Sequence, residues 1–155
     1  MVTLNQVGFN SEDVERINSL FNLLRNKTCF LGYTDRFGCL VLNFGDKFFH
    51  NNESLEIPFY GEVQLRHFSR AWSLLKDNQV LISGDDFEFG RDEHFFQVFE
   101  GKQLLKIKKE NDFYLCFEGG VTVQVSQVQA AEEEEPFLDV FVNNEFYCNV
   151  GGLNQ

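Results

Sequence analysis

Carboxylates crowd into one stretch just past the middle of the chain. Six side chains there could act as metal ligands or as acids and bases: Asp85, Asp86, Glu88, Asp92, Glu93 and His94. Alternating oxygens in a glycine-containing loop are typical of calcium sites, but this spacing differs from the twelve-residue helix–loop–helix site. A carboxylate pair could also hydrolyse a glycoside if Phe87 and Phe89 gave it an apolar cleft. Neither pattern is complete, so we predict no metal ion and no catalytic carboxylate here.

Sulfur and imidazole are the other reactive groups. Cys29, Cys39 or Cys148 could pair with His50 or His67 as nucleophile and base, but no local signature of such a site surrounds them. The four cysteines are scattered without a C-x-x-C, and each lies in an apolar run, which predicts buried free thiols and no zinc. Motifs of phosphate loops, dinucleotide folds and serine hydrolases are absent. We expect neither an enzyme nor a cofactor, and an enzyme of unrecognised type stays open as an alternative.

The negative charge is concentrated in two parts of the chain. The net charge is −11; residues 83–100 carry −5 of it and residues 129–155 carry −6, so the rest is neutral. The second part includes a run of four carboxylates: Glu132, Glu133, Glu134 and Glu135. Such a field repels nucleic acid and favours a basic protein partner. The alternative is a solvated surface that keeps the protein soluble.

These side chains must be positioned by a mainly β fold with one helix. An apolar stripe with helical spacing predicts an N-terminal helix that starts at Asn10 or Ser11 and ends near Asn26; it consists of Val14, Ile17, Leu20, Phe21 and Leu24. Alternation with a period of two then predicts antiparallel strands. They are Thr28–Tyr33, Cys39–Phe44, Lys47–His50, Phe59–His67, Phe95–Phe99, Leu104–Lys108, Phe113–Phe117, Val121–Val128, Phe137–Val142 and Glu145–Val150.

Turn residues separate several of these strands. Gly45-Asp46 and Asn143-Asn144 are predicted turns. The segment from His67 to Lys76 fits a helical face or the first strand of a hairpin, and the Asp77-Asn78 pair behind it favours the hairpin. Trp72 within it is predicted to anchor the core, with a binding hot spot as the alternative.

Length and hydropathy predict a single domain that does not span a membrane. A chain of 155 residues is long enough for a single domain with its own core. No apolar run reaches the roughly 18 residues of a membrane span, and the first ten residues lack the pattern of a signal peptide. We therefore expect a cytoplasmic protein that does not bind membranes.

A weak internal repeat relates residues 28–84 to residues 104–151. Leu40–Gly45 resembles Phe113–Glu118, and the hairpin that begins with Trp72 resembles the one that begins with Phe137. Two similar sheets packed face to face would explain this pattern.

The candidate binding site follows from aromatic residues set among the carboxylates. In Asp85-Asp86-Phe87-Glu88-Phe89, acidic groups would speed encounter with a basic partner and the rings would hold it. We assign to partner binding Asp85, Asp86, Phe87, Glu88, Asp92, Glu93, Glu132, Glu133, Glu134 and Glu135. The alternative is a solvated loop with both phenylalanines turned inward.

The chain resembles small bacterial proteins that include immunity proteins of polymorphic and contact-dependent toxin systems. The likeness covers residues 28–150 and is carried by Tyr33, Gly38–Gly45, Gly61–Leu65, Trp72–Leu74, Gly84–Asp86 and Phe117–Val123, followed by an acidic run and an aromatic residue. That last aromatic is Phe137, where the family pattern has tryptophan. The resemblance implies stoichiometric binding of the C-terminal domain of a cognate toxin, for which a nuclease with a basic surface is suited. The alternative is a β-domain that binds a small ligand or carbohydrate, with Trp72 and exposed phenylalanines lining a cleft.

Overall fold

Antiparallel strands form most of the structure. The computed structural model of the protein describes residues 11–50, 59–67, 69–110, 112–126 and 138–150, and within these ranges ten strands form two five-stranded sheets. The strands are β1 (Cys29–Thr34), β2 (Leu40–Phe49), β3 (Phe59–His67), β4 (Trp72–Lys76), β5 (Gln79–Ser83), β6 (Leu104–Lys109), β7 (Phe113–Phe117), β8 (Val121–Val125), β9 (Leu138–Val142) and β10 (Glu145–Val150). The predicted mainly β fold is confirmed.

The predicted N-terminal helix, α1, spans Ser11–Leu24. Ile17, Leu20 and Leu24 on its apolar stripe are buried in the core, because their spacing places them on one side of the helix. Asn26 has a φ of 62° and ends the helix in the left-handed conformation that asparagine tolerates. The helix lies against β10, where Arg16 Nη1 donates a hydrogen bond to Asn149 Oδ1 at 3.3 Å.

One predicted turn is a bulge inside a long strand. We expected Cys39–Phe44 and Lys47–His50 to be separate strands joined at Gly45-Asp46, but β2 runs through both as Leu40–Phe49. The register with β3 shifts between Phe44 and Lys47, so two residues of β2 oppose one of β3. Gly45 has a φ of 82°, which suits this type of bulge as well as it suits a turn.

The predicted strand Phe95–Phe99 is wrong, because this segment belongs to a 3₁₀ helix, Glu93–Phe99. Three residues per turn place Phe96 and Phe99 on the same side, and both side chains are buried. The apolar residues of this segment therefore recur with a helical period. Over so few residues, this period is easily mistaken for the alternation of a strand. One further strand is shorter than expected, since the strand predicted as Val121–Val128 ends at Val125. The strand predicted as Phe137–Val142 is described from Leu138 to Val142, and Phe137 lies outside the described residues.

The ambiguous segment before the acidic stretch is a hairpin, as favoured. β4 and β5 pair through Asp77-Asn78, whose φ values are 50° and 65°. The β9–β10 hairpin has the same turn at Asn143-Asn144, with φ values of 51° and 66°. Two consecutive residues with positive φ form the tight turn whose twist matches that of paired strands.

The two sheets have the same strand arrangement. The first half of the chain occupies in one sheet the places that the second half occupies in the other. One sheet has the order β1-β2-β3-β9-β10, and the other, read from its far edge, has the order β6-β7-β8-β4-β5. Each half thus supplies a three-stranded meander to one sheet and a hairpin to the other. Single-residue bulges also correspond: Phe30 in β1 with Leu105 in β6, and Leu81 in β5 with Tyr147 in β10.

A single hydrophobic cluster joins α1, both sheets and the 3₁₀ helix. Aromatic rings form a continuous chain through it, with successive centroids 5.1–6.1 Å apart, in the order Trp72, Phe87, Phe96, Phe99, Phe117 and Phe44. Part of the high phenylalanine content therefore fills the core, and this chain of rings starts beneath the acidic stretch.

Candidate functional site

The predicted acidic stretch is an ordered loop between β5 and the 3₁₀ helix, here called the acidic loop (Gly84–Asp92). Its first turn is closed by the N–H groups of Asp86 and Phe87, which donate to Ser83 O at 3.1 and 3.0 Å. The Ser83 hydroxyl also bonds the Asp86 carboxylate at 3.1 Å. These bonds fix the direction of the loop as it leaves the sheet.

Phe87 holds the loop to the core and does not lie on the surface. Its side chain is 1% exposed and packs against Trp72 and Phe96, with ring centroids 5.8 and 5.2 Å away. Phe89, two residues later, is 45% exposed. The prediction that both rings are available to a partner therefore fits Phe89 and does not fit Phe87.

Asp92 is likewise a structural group of the loop. Its buried carboxylate accepts the Glu88 N–H at 2.8 Å and is bonded twice by the Arg91 guanidinium, at 2.9 and 2.8 Å. The Arg91 guanidinium and the Glu88 N–H hold the pKa of Asp92 below its ordinary value. Because Asp92 closes the loop from within, its assignment to partner binding does not fit its burial.

Three of the assigned carboxylates are exposed on the outer side of the loop. Asp85 makes no hydrogen bond or ion pair within the described ranges, Asp86 accepts from Ser83, and Glu88 pairs with Arg91 at 2.9 Å. Glu93 is half-buried and accepts the Gly90 N–H. The predicted second acidic segment, Glu132, Glu133, Glu134 and Glu135, lies outside the described residues.

Arg70 is a residue of this site that the sequence pattern did not indicate. It lies before β4, yet its Nε donates to Gly84 O at 3.0 Å and its Nη2 to Phe87 O at 2.6 Å. A cation bound to two carbonyls of the loop offsets part of its negative charge. No local signal marks this role, because it depends on how β4 and β5 pair.

A second loop adjoins the acidic loop through the same residues. The Trp72 indole N–H donates to Gly38 O at 2.9 Å, while Trp72 O accepts the Gly84 N–H at 2.6 Å. The Arg70 side chain lies against Gly38, where an added Cβ would come within 2.7 Å of Arg70 Cγ. Trp72 is thus the predicted core anchor, and with Arg70 it joins the β1–β2 turn to the acidic loop.

A cleft of about 400 Å³ lies between β1 and the 3₁₀ helix. Leu31 and Phe96 form its apolar walls, and Tyr33, Glu93 and Glu100 contribute polar groups. Burial raises the pKa of the Tyr33 phenol, so this group is neutral at physiological pH. Trp72 is 2% exposed and does not line the cleft, so the small-ligand alternative lacks the aromatic residue predicted for it.

The thiols of the cysteine–histidine pairs considered from the sequence have raised pKa values. Burial raises the pKa of Cys29 to about 12 and also raises the pKa values of Cys39 and Cys148. Since the thiolate is the nucleophile, these three thiols, which stay protonated at neutral pH, are poorly suited to nucleophilic catalysis. All four cysteines of the chain are free; Cys29 is fully buried and the others are half-buried.

Two other polar clusters are structural. His67 Nε2 lies 2.9 Å from Ser69 Oγ, but His67 is buried and the hydroxyl already accepts the Ala71 N–H at 3.0 Å. Asn43 Oδ1 accepts from Gln64 Nε2 at 2.6 Å in a buried network that fixes β2 against β3. Buried polar groups that are hydrogen-bonded to each other in this way help to fix strand pairing. They are not placed to act as a base or an acid on a ligand.

Within the described residues, no group of three or more histidine, cysteine or carboxylate side chains could hold a metal ion. The one long helix in those ranges, α1, is too short and too polar to cross a membrane. Comparison of the chain with protein-family models, with curated proteins and with solved structures found no match. The function must therefore be argued from the residues themselves.

Proposed function

We propose that the protein is an immunity-type inhibitor, which binds the C-terminal domain of a cognate bacterial toxin in a stoichiometric complex. The acidic loop would meet a basic surface of the toxin and cover its active site or its path to the target. We favour a nuclease as the toxin because nucleases need basic surfaces to bind phosphates. The toxin class rests on the resemblance of residues 28–150 to immunity proteins.

The observation that supports this proposal is the difference between the two sides of the acidic loop. Its inner side is fixed by Phe87, Asp92 and the Arg70 guanidinium. Its outer side presents the carboxylates of Asp85, Asp86 and Glu88 to solvent. A loop held in place before binding loses little conformational entropy when a partner docks, which favours affinity.

The proposal predicts that a large secreted protein is encoded immediately upstream of the gene, and that protein supplies the test. We expect its C-terminal domain to form a one-to-one complex with this chain, and co-expression of the chain to protect cells from that domain. The double variant Asp85→Lys/Asp86→Lys should lower the association rate about tenfold or more at low salt, with a smaller effect at high salt.

The matched control is Asp46→Lys/Glu145→Lys, which changes the net charge equally at two exposed positions outside the acidic loop. Equal slowing by both double variants would show that net charge alone matters and would remove the acidic loop from the proposal. The absence of both a complex and protection would contradict the proposed function as a whole.

A further inference from the structure

The β1–β2 turn presents an exposed aromatic ring at its tip. In this Phe37 turn (Asp35–Cys39), the Asp35 carboxylate accepts the N–H groups of Phe37 and Cys39 at 2.8 and 3.0 Å. Gly38 has a φ of 84° and directs its N–H back to Asp35 O. The Phe37 side chain is 79% exposed on this ordered turn, which is the largest exposure of any large apolar residue in the described ranges.

The corresponding connection in the other half of the chain has no aromatic residue. Exchanging the halves of the chain places the β6–β7 connection where the β1–β2 turn lies, since each joins the first two strands of a meander. That connection consists of Glu110, Asn111 and Asp112, all polar. This second connection is shorter and contains no aromatic residue, so the correspondence between the halves does not account for the exposed ring of Phe37.

The Phe37 turn and the acidic loop form one continuous structure. The Arg70 side chain contacts Gly38 and also donates to Gly84 O and Phe87 O. The Trp72 indole bonds Gly38 O, and its backbone carbonyl bonds the Gly84 N–H. Arg70 and Trp72 thus hold both loops, one of which carries Phe37 and the other Phe89 and the exposed carboxylates.

We propose that these two loops form a single docking surface, the joint surface, on which Phe37 and Phe89 bind an apolar side chain carried by a basic protein segment. This rests on the proposed function, because it describes the part of the partner that the acidic loop would meet. Exposed aromatic rings supply the apolar contact, and Asp85, Asp86 and Glu88 select positive charge around it. A second copy of this chain is a poor occupant, since it would bring like charges together.

The test uses a random-peptide phage library selected on the folded, full-length protein. We expect the enriched peptides to combine lysine or arginine with an apolar residue. Phe37→Ser and Phe89→Ser should each weaken their binding by at least about tenfold. The matched control is Phe49→Ser: this ring is 69% exposed but lies at the far end of β2, roughly 30 Å along the strand from the Phe37 turn.

Each other result overturns the inference. The selected peptides could be acidic or uncharged, or none could be enriched over an unrelated protein. The peptides could also bind Phe37→Ser and Phe89→Ser as tightly as they bind the wild type. A concentration-dependent dimer that Phe37→Ser abolishes would show that a second copy is the occupant and would also overturn it.

The same variants separate this inference from the proposed function. A toxin complex that binds Phe37→Ser and Phe89→Ser as tightly as wild type would overturn the joint surface and leave the inhibitor function standing. Peptide binding with the expected pattern, but no complex with the upstream-encoded domain, would support the joint surface and contradict the inhibitor function.

Discussion

Phe44 and Phe117 stack across the centre of the molecule, with ring centroids 6.1 Å apart and ring planes within 7° of parallel. Phe44 belongs to β2 of one sheet and Phe117 to β7 of the other, and the two strands occupy equivalent places when the halves are exchanged. Both rings are almost fully buried. The stacked pair is therefore a direct contact between the two sheets at corresponding positions.

Removal of either ring should strongly destabilise the fold. We expect Phe44→Ala and Phe117→Ala each to lower the free energy of unfolding by about 3–5 kcal/mol, because each leaves a cavity between the sheets. The double variant should lose less than the sum of the two, since the rings contact each other. Urea unfolding measures all three, with Phe37→Ala as an exposed control expected within about 0.5 kcal/mol of wild type. Additive losses would show that the stacking contact contributes nothing.

Asp92 should make the stability of the protein depend on acid pH. Because the folded-state pKa of Asp92 lies below that of the unfolded chain, its ionised form stabilises the fold at neutral pH, and this stabilisation is lost as the pH falls through the lowered pKa. Asp92→Asn should be less stable than wild type at pH 7, and the difference should shrink below about pH 4. Urea unfolding across this pH range tests it.

The control for that series is Asp85→Asn, which removes a carboxylate that bonds nothing in the described part of the chain. It should change the stability at neutral pH much less than Asp92→Asn does. A difference between wild type and Asp92→Asn that stays constant from neutral to acid pH would contradict the role of the Arg91–Asp92 contact.

Cys29 should be the least reactive thiol of the four. Its pKa of about 12 and its complete burial keep it protonated and out of reach of reagents in the folded protein. We expect iodoacetamide to label Cys39, Cys116 and Cys148 first and to label Cys29 only in denaturant. Mass spectrometry of digested samples identifies each site, and early labelling of Cys29 in the native protein would contradict its position in the core.

Neither half of the chain should fold by itself. β3 pairs with β9 and β4 pairs with β8, so each sheet takes strands from both halves. Fragments covering residues 1–101 and 102–155 should each be unfolded alone and should form a structured complex when co-expressed. Circular dichroism and co-purification test this, and a fragment 1–101 that folds cooperatively alone would contradict the exchanged arrangement.

Local sequence patterns predict most strands because alternation and turn chemistry act over short distances. β3, β7 and β10 begin and end where alternating residues do, and Asp77-Asn78 and Asn143-Asn144 form the expected tight turns. The sequence predicts a turn at Gly45 where the structure has a bulge, because a glycine with positive φ suits both equally. The register that distinguishes them depends on β3, which is distant in sequence.

The candidate site was less predictable than the fold for a related reason. Phe87 and Phe89 occupy the same sequence pattern, and the position of Trp72 and Phe96 decides that Phe87 turns inward. The contact of Arg70 with the acidic loop likewise arises from tertiary structure. Charge and aromatic content thus identify the loop. Whether each of its side chains faces solvent or the core depends on packing partners elsewhere in the chain.

The position of Trp72 gives the protein an intrinsic optical probe. It is the chain's one tryptophan, and its indole bonds the Phe37 turn while its ring packs against Phe87 beneath the acidic loop. The emission of this indole depends on the polarity and rigidity of its surroundings. Movement of either loop should therefore change the fluorescence of the unlabelled wild-type chain, so that ligand titrations need no added dye.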